Sequence, residues 1–338
     1  MNENGIRGER GTSPGVGRGF WYRLLRSARS RVRPLTEWAG RPWVPMRRLT
    51  VTNSVDPRSK RSYRSGALVL ETPRDLYVPK ALVKRGVGGY EPFALECFMA
   101  LLDIAGPGAV LDIGSNVGFY GLLAARRGDR AVVGFEPTPR VAAAARRCAD
   151  RSRLPFVVEE AAVGDHSGPV TLYISNTSDA SNSLNPAFRS AIDEVVVPGV
   201  TLDAYCDRHR VRPAVIKIDT ESTEAAVLRG GRHAIARCRP WMLVEVLPNR
   251  AVGQVETAMD GLGYTYYHLN DEGPLVPTEH IVGRPGGLDM YLLAPRPLIE
   301  SDWAAMARWR EVLKGMSIHE KKVRVRRRSL EAALRSSA

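Results

Sequence analysis

Between Ala109 and Asp165 the sequence alternates short apolar runs with amphipathic helical stretches, and this alternation constrains the fold more than any other feature. AVLDIG leads through a glycine turn into VGFYGLLAARRG, AVVGFEP leads into TPRVAAAARRCADR, and FVVEEAAVGD supplies a third strand. Strands this short, separated by helices, predict an open parallel α/β sheet with helices on both faces. Thr138 is placed to cap the second helix, with Pro139 at its first position. Upstream, EPFALECFMALLDIAG has helical spacing and ends in glycine. Residues 168–200 interrupt the rhythm with GPVTLYIS, a polar loop over 176–183, and EVVVPGV. The alternation resumes through TLDAYCDRH, AVIKID, STEAAVLRGG and WMLVEVL. After a helix near 251–261, YTYYHL and DMYLLA predict two closing strands of hairpin type.

Charge divides the 338 residues unevenly. The net charge is +13, yet residues 1–65 carry +11, residues 320–338 carry +5, and the middle is slightly acidic at −3. This predicts a basic arm over 1–65, a folded domain over 66–300, and a helical basic tail over 301–338. This arm reads as disordered or surface-binding: WYRLLRSARSRVRPL, residues 21–35, could coil into a basic amphipathic helix on meeting a surface, but Pro34 and the density of arginines equally suit a poorly ordered extension. Such extensions attract anionic lipid or other acidic partners. Nucleic acid is disfavoured as a partner, because the middle is acidic and lacks an aromatic–basic strip. Cys97, Cys148, Cys206 and Cys238 form no cluster, which suits reduced thiols rather than disulfides or zinc. No apolar run approaches the roughly 18 residues of a membrane span. The expected location is cytoplasmic, with peripheral contact to an anionic inner membrane face through the tails.

VLDIGSNVGFYG, residues 110–121, poses the functional question. In open parallel sheets ligands sit at the carboxyl ends of strands where strand order reverses, and glycine there lets a ligand approach the backbone. The turn has one glycine where the dinucleotide fingerprint has two, and it lacks the GK[ST] ending of a phosphate loop. Glu136, ending the second strand, can accept from both hydroxyls of a ribose. Asp165, after the third, can accept from an adenine amine. Ribose and adenine partners without a diphosphate loop describe a nucleoside carrying no phosphate, and S-adenosyl-L-methionine is the common cofactor of that kind. Asp112, Gly114 and Asn116 would line its methionine end, with Gly118 admitting the helix behind.

Taken together, YEPFALE, VLDIGSNVGFYG, GFEPTP, AAVGD, the TLD of residues 201–203 and VIKIDTESTEAAVLRGG resemble the FkbM-type S-adenosylmethionine-dependent methyltransferases. The resemblance runs from about Tyr90 to Pro248. It implies a doubly wound, Rossmann-like class I methyltransferase sheet of seven strands, the last antiparallel, and adds Glu91 to the cofactor-binding set. It also implies methylation of a hydroxyl on a sugar, glycolipid or secondary metabolite. One departure stands out: the family usually has glycine after the Glu of the IKID-x-E stretch, where this chain has Ser222.

Methyl transfer needs the acceptor held in line with the methyl group and, for a hydroxyl, a group to take its proton. The candidates are Lys217, Asp219, Glu221 and Glu245, after the fourth and fifth strands. Lys217 could orient a neighbouring carboxylate or lower its pKa. Asp219 and Glu221 could offer oxygens to a divalent cation, but two carboxylates do not specify a metal and none is expected. A salt-bridged lip of the sheet is the plain alternative. His166 and His209 lie in polar contexts and read as surface histidines. The 176–183 loop is expected to contact the acceptor. Asn185-Pro186-Ala187-Phe188 only approximates a nucleobase-gripping N-P-P-[YF] motif and reads as a turn.

Overall fold

The computed structural model describes residues 43–52, 67–247, 253–269, 275–281 and 290–326. The amphipathic stretch 21–35 lies outside the described residues, as do the rest of 1–42 and the segment 327–338.

β1 (Trp43–Thr52) and β2 (Leu68–Pro73) pair antiparallel and lead into α1 (Tyr77–Arg85) and α2 (Pro92–Ile104). Every residue of α2 from Ala94 to Leu102 is buried, as befits a helix apolar on nearly all sides. The alternation follows: β3 (Ala109–Ile113), α3 (Phe119–Arg127), β4 (Val132–Phe135), α4 (Pro139–Ser152) and β5 (Phe156–Glu159). Thr138 precedes α4 with Pro139 in its first turn, but its side chain makes no cap. Its Oγ1 accepts from Asn182 Nδ2 at 3.2 Å instead.

β6 (Ala162–Gly164), β7 (Gly168–Ser175) and β8 (Ala191–Thr201) form a separate sheet of order β6-β8-β7. FVVEEAAVGD is therefore two strands in two sheets, not one. α5 (Leu202–His209), β9 (Pro213–Ile218), α6 (Glu224–Gly230), α7 (Arg232–Cys238), β10 (Trp241–Glu245) and α8 (Gln254–Met259) return the chain to the main sheet. β11 (Thr265–His268), β12 (Pro277–Thr278) and β13 (Met290–Ala294) complete that sheet, in the order β12-β11-β13-β10-β9-β3-β4-β5.

β10, β9, β3, β4 and β5 run parallel, whereas β13 is antiparallel to both β10 and β11. Seven strands were expected. The eighth is the two-residue β12, which pairs with β11 through Tyr266 and Tyr267. The chain leaves β3 outward through β4 and β5, then restarts beside β3 with β9. This reversal puts the switch point between β3 and β9, where a ligand crevice belongs.

α9 (Glu300–Lys314) is helical as the C-terminal reading requires, but the chain then forms β14 (Ser317–Arg326), antiparallel to β1 across all ten residues. The expected helical tail is corrected there: Val323 and Val325 alternate with Arg324 and Arg326 at the period of a strand. The arm is corrected too, since Val44, Met46, Leu49 and Val51 are buried in β1. Glu71 ties this sheet to α4. Burial would push its carboxyl up, but Arg48, Arg147 and Arg151 hold it below the usual range.

The Phe156 ring fills a slot left by three glycines. A Cβ on Gly118, Gly121 or Gly134 would come within 2.4 to 2.6 Å of its carbons. Gly121→Ala is expected to cost about 1–3 kcal/mol by overpacking, measured as a lowered denaturation midpoint.

Candidate active site

A cavity of about 410 Å³ opens at the carboxyl ends of β3, β4, β9 and β10. That volume lies within the roughly 300–1,000 Å³ of small-molecule sites. The start of α1 and the 178–184 segment form part of its walls.

On one side the wall is the turn after β3. Gly114 has φ +79°, and a Cβ there would sit 1.7 Å from the Asp219 carbonyl oxygen, so glycine is needed to bring the β3 and β9 turns together. Asn116, at φ +49°, donates its backbone amide to Glu136 Oε2 at 3.0 Å and its Nδ2 to Asp179 at 3.3 Å. The other Glu136 oxygen accepts from the Thr138 amide at 2.8 Å. Burial pushes the Glu136 carboxyl up to about 7 against the pull of these amides.

Glu91, Gly114, Asn116 and Glu136 line the cavity; Asp112 and Gly118 do not. Asp112 lies beneath it, buried, accepting the Gly121 amide at 3.0 Å, and burial pushes its carboxyl up to about 6. It fastens β3 to α3, while Gly118 packs on Phe156. The assignment of Asp165 to adenine is overturned. Its carboxylate pairs with Arg229 at 2.7 Å and His166 at 3.0 Å, away from the cavity, and these partners hold it below its usual range. The physical reason is the departure of β6 into the second sheet, which leaves Asp165 facing α6. Ala161, Ala162 and Val163 line the cavity in its place.

The other half of the cavity holds Lys217, Asp219, Glu221 and Glu245. Lys217 is 3% exposed, with Nζ 2.7 Å from Asp219 and 4.7 Å from the centroid of the Tyr120 ring. Burial opposes its charge, but Asp219, Asp112 and Glu91 outweigh it and raise the pKa. Glu91 starts α2 in the left-handed region at φ +44° and accepts from Tyr120 Oη at 2.8 Å; burial raises its carboxyl. Burial and Asp219 push Glu221 up to about 8. The same two causes raise Glu245 well above its usual value, and Glu245 Oε2 is buried without a hydrogen-bond partner. Asp219, Glu221 and Glu245 present oxygens within 4.8 Å of one another. At that spacing a divalent cation could bridge them.

The polar loop borders this half. Asp179 accepts the Tyr77 amide at 2.9 Å, and Ser183 Oγ donates to the Glu221 carbonyl at 2.6 Å. Ser222, at φ +80°, adopts the conformation that explains a glycine preference, and its hydroxyl accepts from Asn185 Nδ2 at 3.1 Å. It does not line the cavity. Asn185-Pro-Ala-Phe is a turn closed by the Phe188 amide on the Asn185 carbonyl at 3.1 Å. His166 is exposed, and His209 stacks on Tyr205 with centroids 4.4 Å apart. Tyr90, Tyr120, Asp179 and Arg189 also line the cavity. Sequence reasoning missed these four. Tyr90 and Tyr120 stand in the motifs YEPFALE and VLDIGSNVGFYG and Asp179 in the polar loop, but none was singled out, and the partner of Tyr120, Glu91, is 29 residues distant.

A sheet switching between β3 and β9, with an acidic crevice and no phosphate loop, is the architecture of a methyltransferase domain. Residues 112–266 match the family model for the methyltransferase FkbM domain. No curated protein matches the chain. Among solved structures it is similar to a methyltransferase FkbM from Methylobacillus flagellatus KT, at 15% identity and TM-score 0.34 over 55% of this chain and 43% of that one. The chain thus spans less than half of that relative. A precorrin-6y C5,15-methyltransferase from Geobacter metallireducens GS-15 matches at 9% identity and TM-score 0.35, over 66% of this chain and 90% of that one. A Pyrococcus abyssi tRNA (uracil-54, C5)-methyltransferase in complex with S-adenosyl-L-homocysteine matches at 14% identity and TM-score 0.30, over 61% and 38%. Among the described residues, no helix is long and apolar enough to cross a membrane.

Proposed function

We propose that the domain binds S-adenosylmethionine along the β3 and β4 turns and methylates a hydroxyl on a small acceptor. The acceptor class we favour is a sugar, a glycolipid or a hydroxylated secondary metabolite. The observation that carries the reading is Glu136, a buried carboxylate lining the cavity at the end of β4, beside a glycine turn unsuited to diphosphate. Each of its oxygens holds one backbone amide and retains acceptor capacity for a ribose hydroxyl.

Bound there, S-adenosylmethionine would supply a methyl group made electrophilic by positive sulfur. The chain's own residues position the acceptor and receive its proton. Glu221, with its raised pKa, suits a base working near neutral pH. Lys217 orients Asp219 beside it, and the 178–184 segment closes the acceptor side. Metal-independent transfer is the reading we favour, so EDTA should leave turnover unchanged.

Glu136→Ala tests cofactor binding. It removes charge-assisted hydrogen bonds of roughly 1.5–3 kcal/mol, and S-adenosylhomocysteine affinity measured by titration calorimetry should fall about 10- to 150-fold. Wild-type affinity in the variant would refute the assignment.

A further inference from the structure

On one surface outside the cavity, cations gather without acidic partners among the described residues. Among the described residues, β14 is the outer strand of its sheet and pairs only with β1. Its register places Lys322, Arg324 and Arg326 on the face that carries Trp43, Arg47, Leu49 and Val51. Further along that face, Leu49 and Val51 are buried in the same core as Leu82 of α1, and α1 also lies against β14. α1 exposes Lys80, Val83, Lys84 and Arg85. Trp43 is 41% exposed, with the Arg326 guanidinium 5.4 Å from its ring centroid. Among the described residues no carboxylate pairs with any of these lysines or with Arg85, Arg324 and Arg326. The nearby acids are engaged, Glu320 by Arg47 at 2.8 Å and Glu311 by Lys314 at 3.1 Å.

We propose that this face docks on an anionic phospholipid bilayer. Its cations match a layer of phosphate headgroups, and an exposed tryptophan beside arginine is the composition of a membrane interface. Single-stranded nucleic acid would call instead for a groove carrying several aromatic platforms; this face exposes one tryptophan. Charge in the flanking sequence has the same sign: residues 1–42 and 327–338 together hold twelve arginines and four glutamates. The surface also reaches the cavity, because Tyr77 at the start of α1 lines it.

The test is sedimentation of the full chain with vesicles of phosphatidylcholine, alone or mixed with phosphatidylglycerol. Binding is expected only to the mixed vesicles, and it should weaken with added salt. Lys80→Gln/Lys84→Gln and Lys322→Gln/Arg324→Gln should each lower the partition coefficient about 30-fold, roughly fivefold per cation. Melting temperature and S-adenosylhomocysteine affinity should stay at wild-type values. If one pair fails to fold, the other carries the test. Parental binding by the folded variants would assign the effect to the flanking segments and overturn the proposal. So would equal binding to neutral vesicles, or binding of single-stranded RNA without vesicle binding.

Discussion

Lys217→Met is expected to cost about 3–5 kcal/mol of stability, the usual loss when one partner is taken from a buried ion pair. Methionine nearly preserves the volume beneath the cavity but leaves Asp219, Asp112 and Glu91 without their shared cation. The sign with pH follows. The Glu91 and Asp112 carboxyls already stand above their usual values through burial, and without Lys217 they rise further. A carboxyl raised in the folded state stabilises below its unfolded pKa and loses that contribution as pH rises through the folded value. The deficit, read by chemical denaturation, should therefore widen with increasing pH. Lys217→Met/Asp219→Asn should recover part of it; no recovery would mean that Lys217 acts through packing alone.

Glu221→Gln is expected to lower kcat about 10²- to 10⁴-fold, the range for removing a general base. The assay uses whichever hydroxylated sugar or glycolipid the wild-type protein methylates. Because the Glu221 carboxyl is raised from 4.5 to about 8, wild-type turnover should climb as pH passes through about 8, and the variant should lose that step. Stability moves oppositely: the protonated carboxyl contributes fully below about 4.5, and the contribution is lost as pH rises through about 8. Above that pH the glutamine variant should thus melt higher than the wild type while turning over more slowly. A variant that keeps the pH step would move the base to another residue.

Much of this was legible in the chain because its signals are local. Apolar runs of strand length between helical stretches specify β3 to β5, and the missing phosphate loop narrows the ligand before any coordinate is known. Glu136 was legible for the same reason, since a strand end fixes where its last side chain points. Asp165 was not. Its position depends on β6 leaving the main sheet, a tertiary event announced only by the glycine and proline around residue 168. The Glu91–Tyr120 contact and the closeness of Glu245 to Asp219 likewise join segments distant in sequence. β14 shows a different failure. The period-2 alternation of VRVR is present in the sequence, but it lies within a tail expected to be helical over 301–338.

The pairing of β1 with β14 also bears on how the molecule is made. A nascent chain brings out β1 early, yet its partner strand emerges only after every other described element. Until then β1 can hydrogen-bond only to β2, and its other edge remains open to neighbouring chains on the same messenger. Arg47 and Arg48 in the middle of that edge supply the charge by which strands resist such encounters. Closing the ring of chain between the two strands bears the entropy of a very long loop. Among the described elements, the three-stranded sheet can therefore be completed only after all the others have been made.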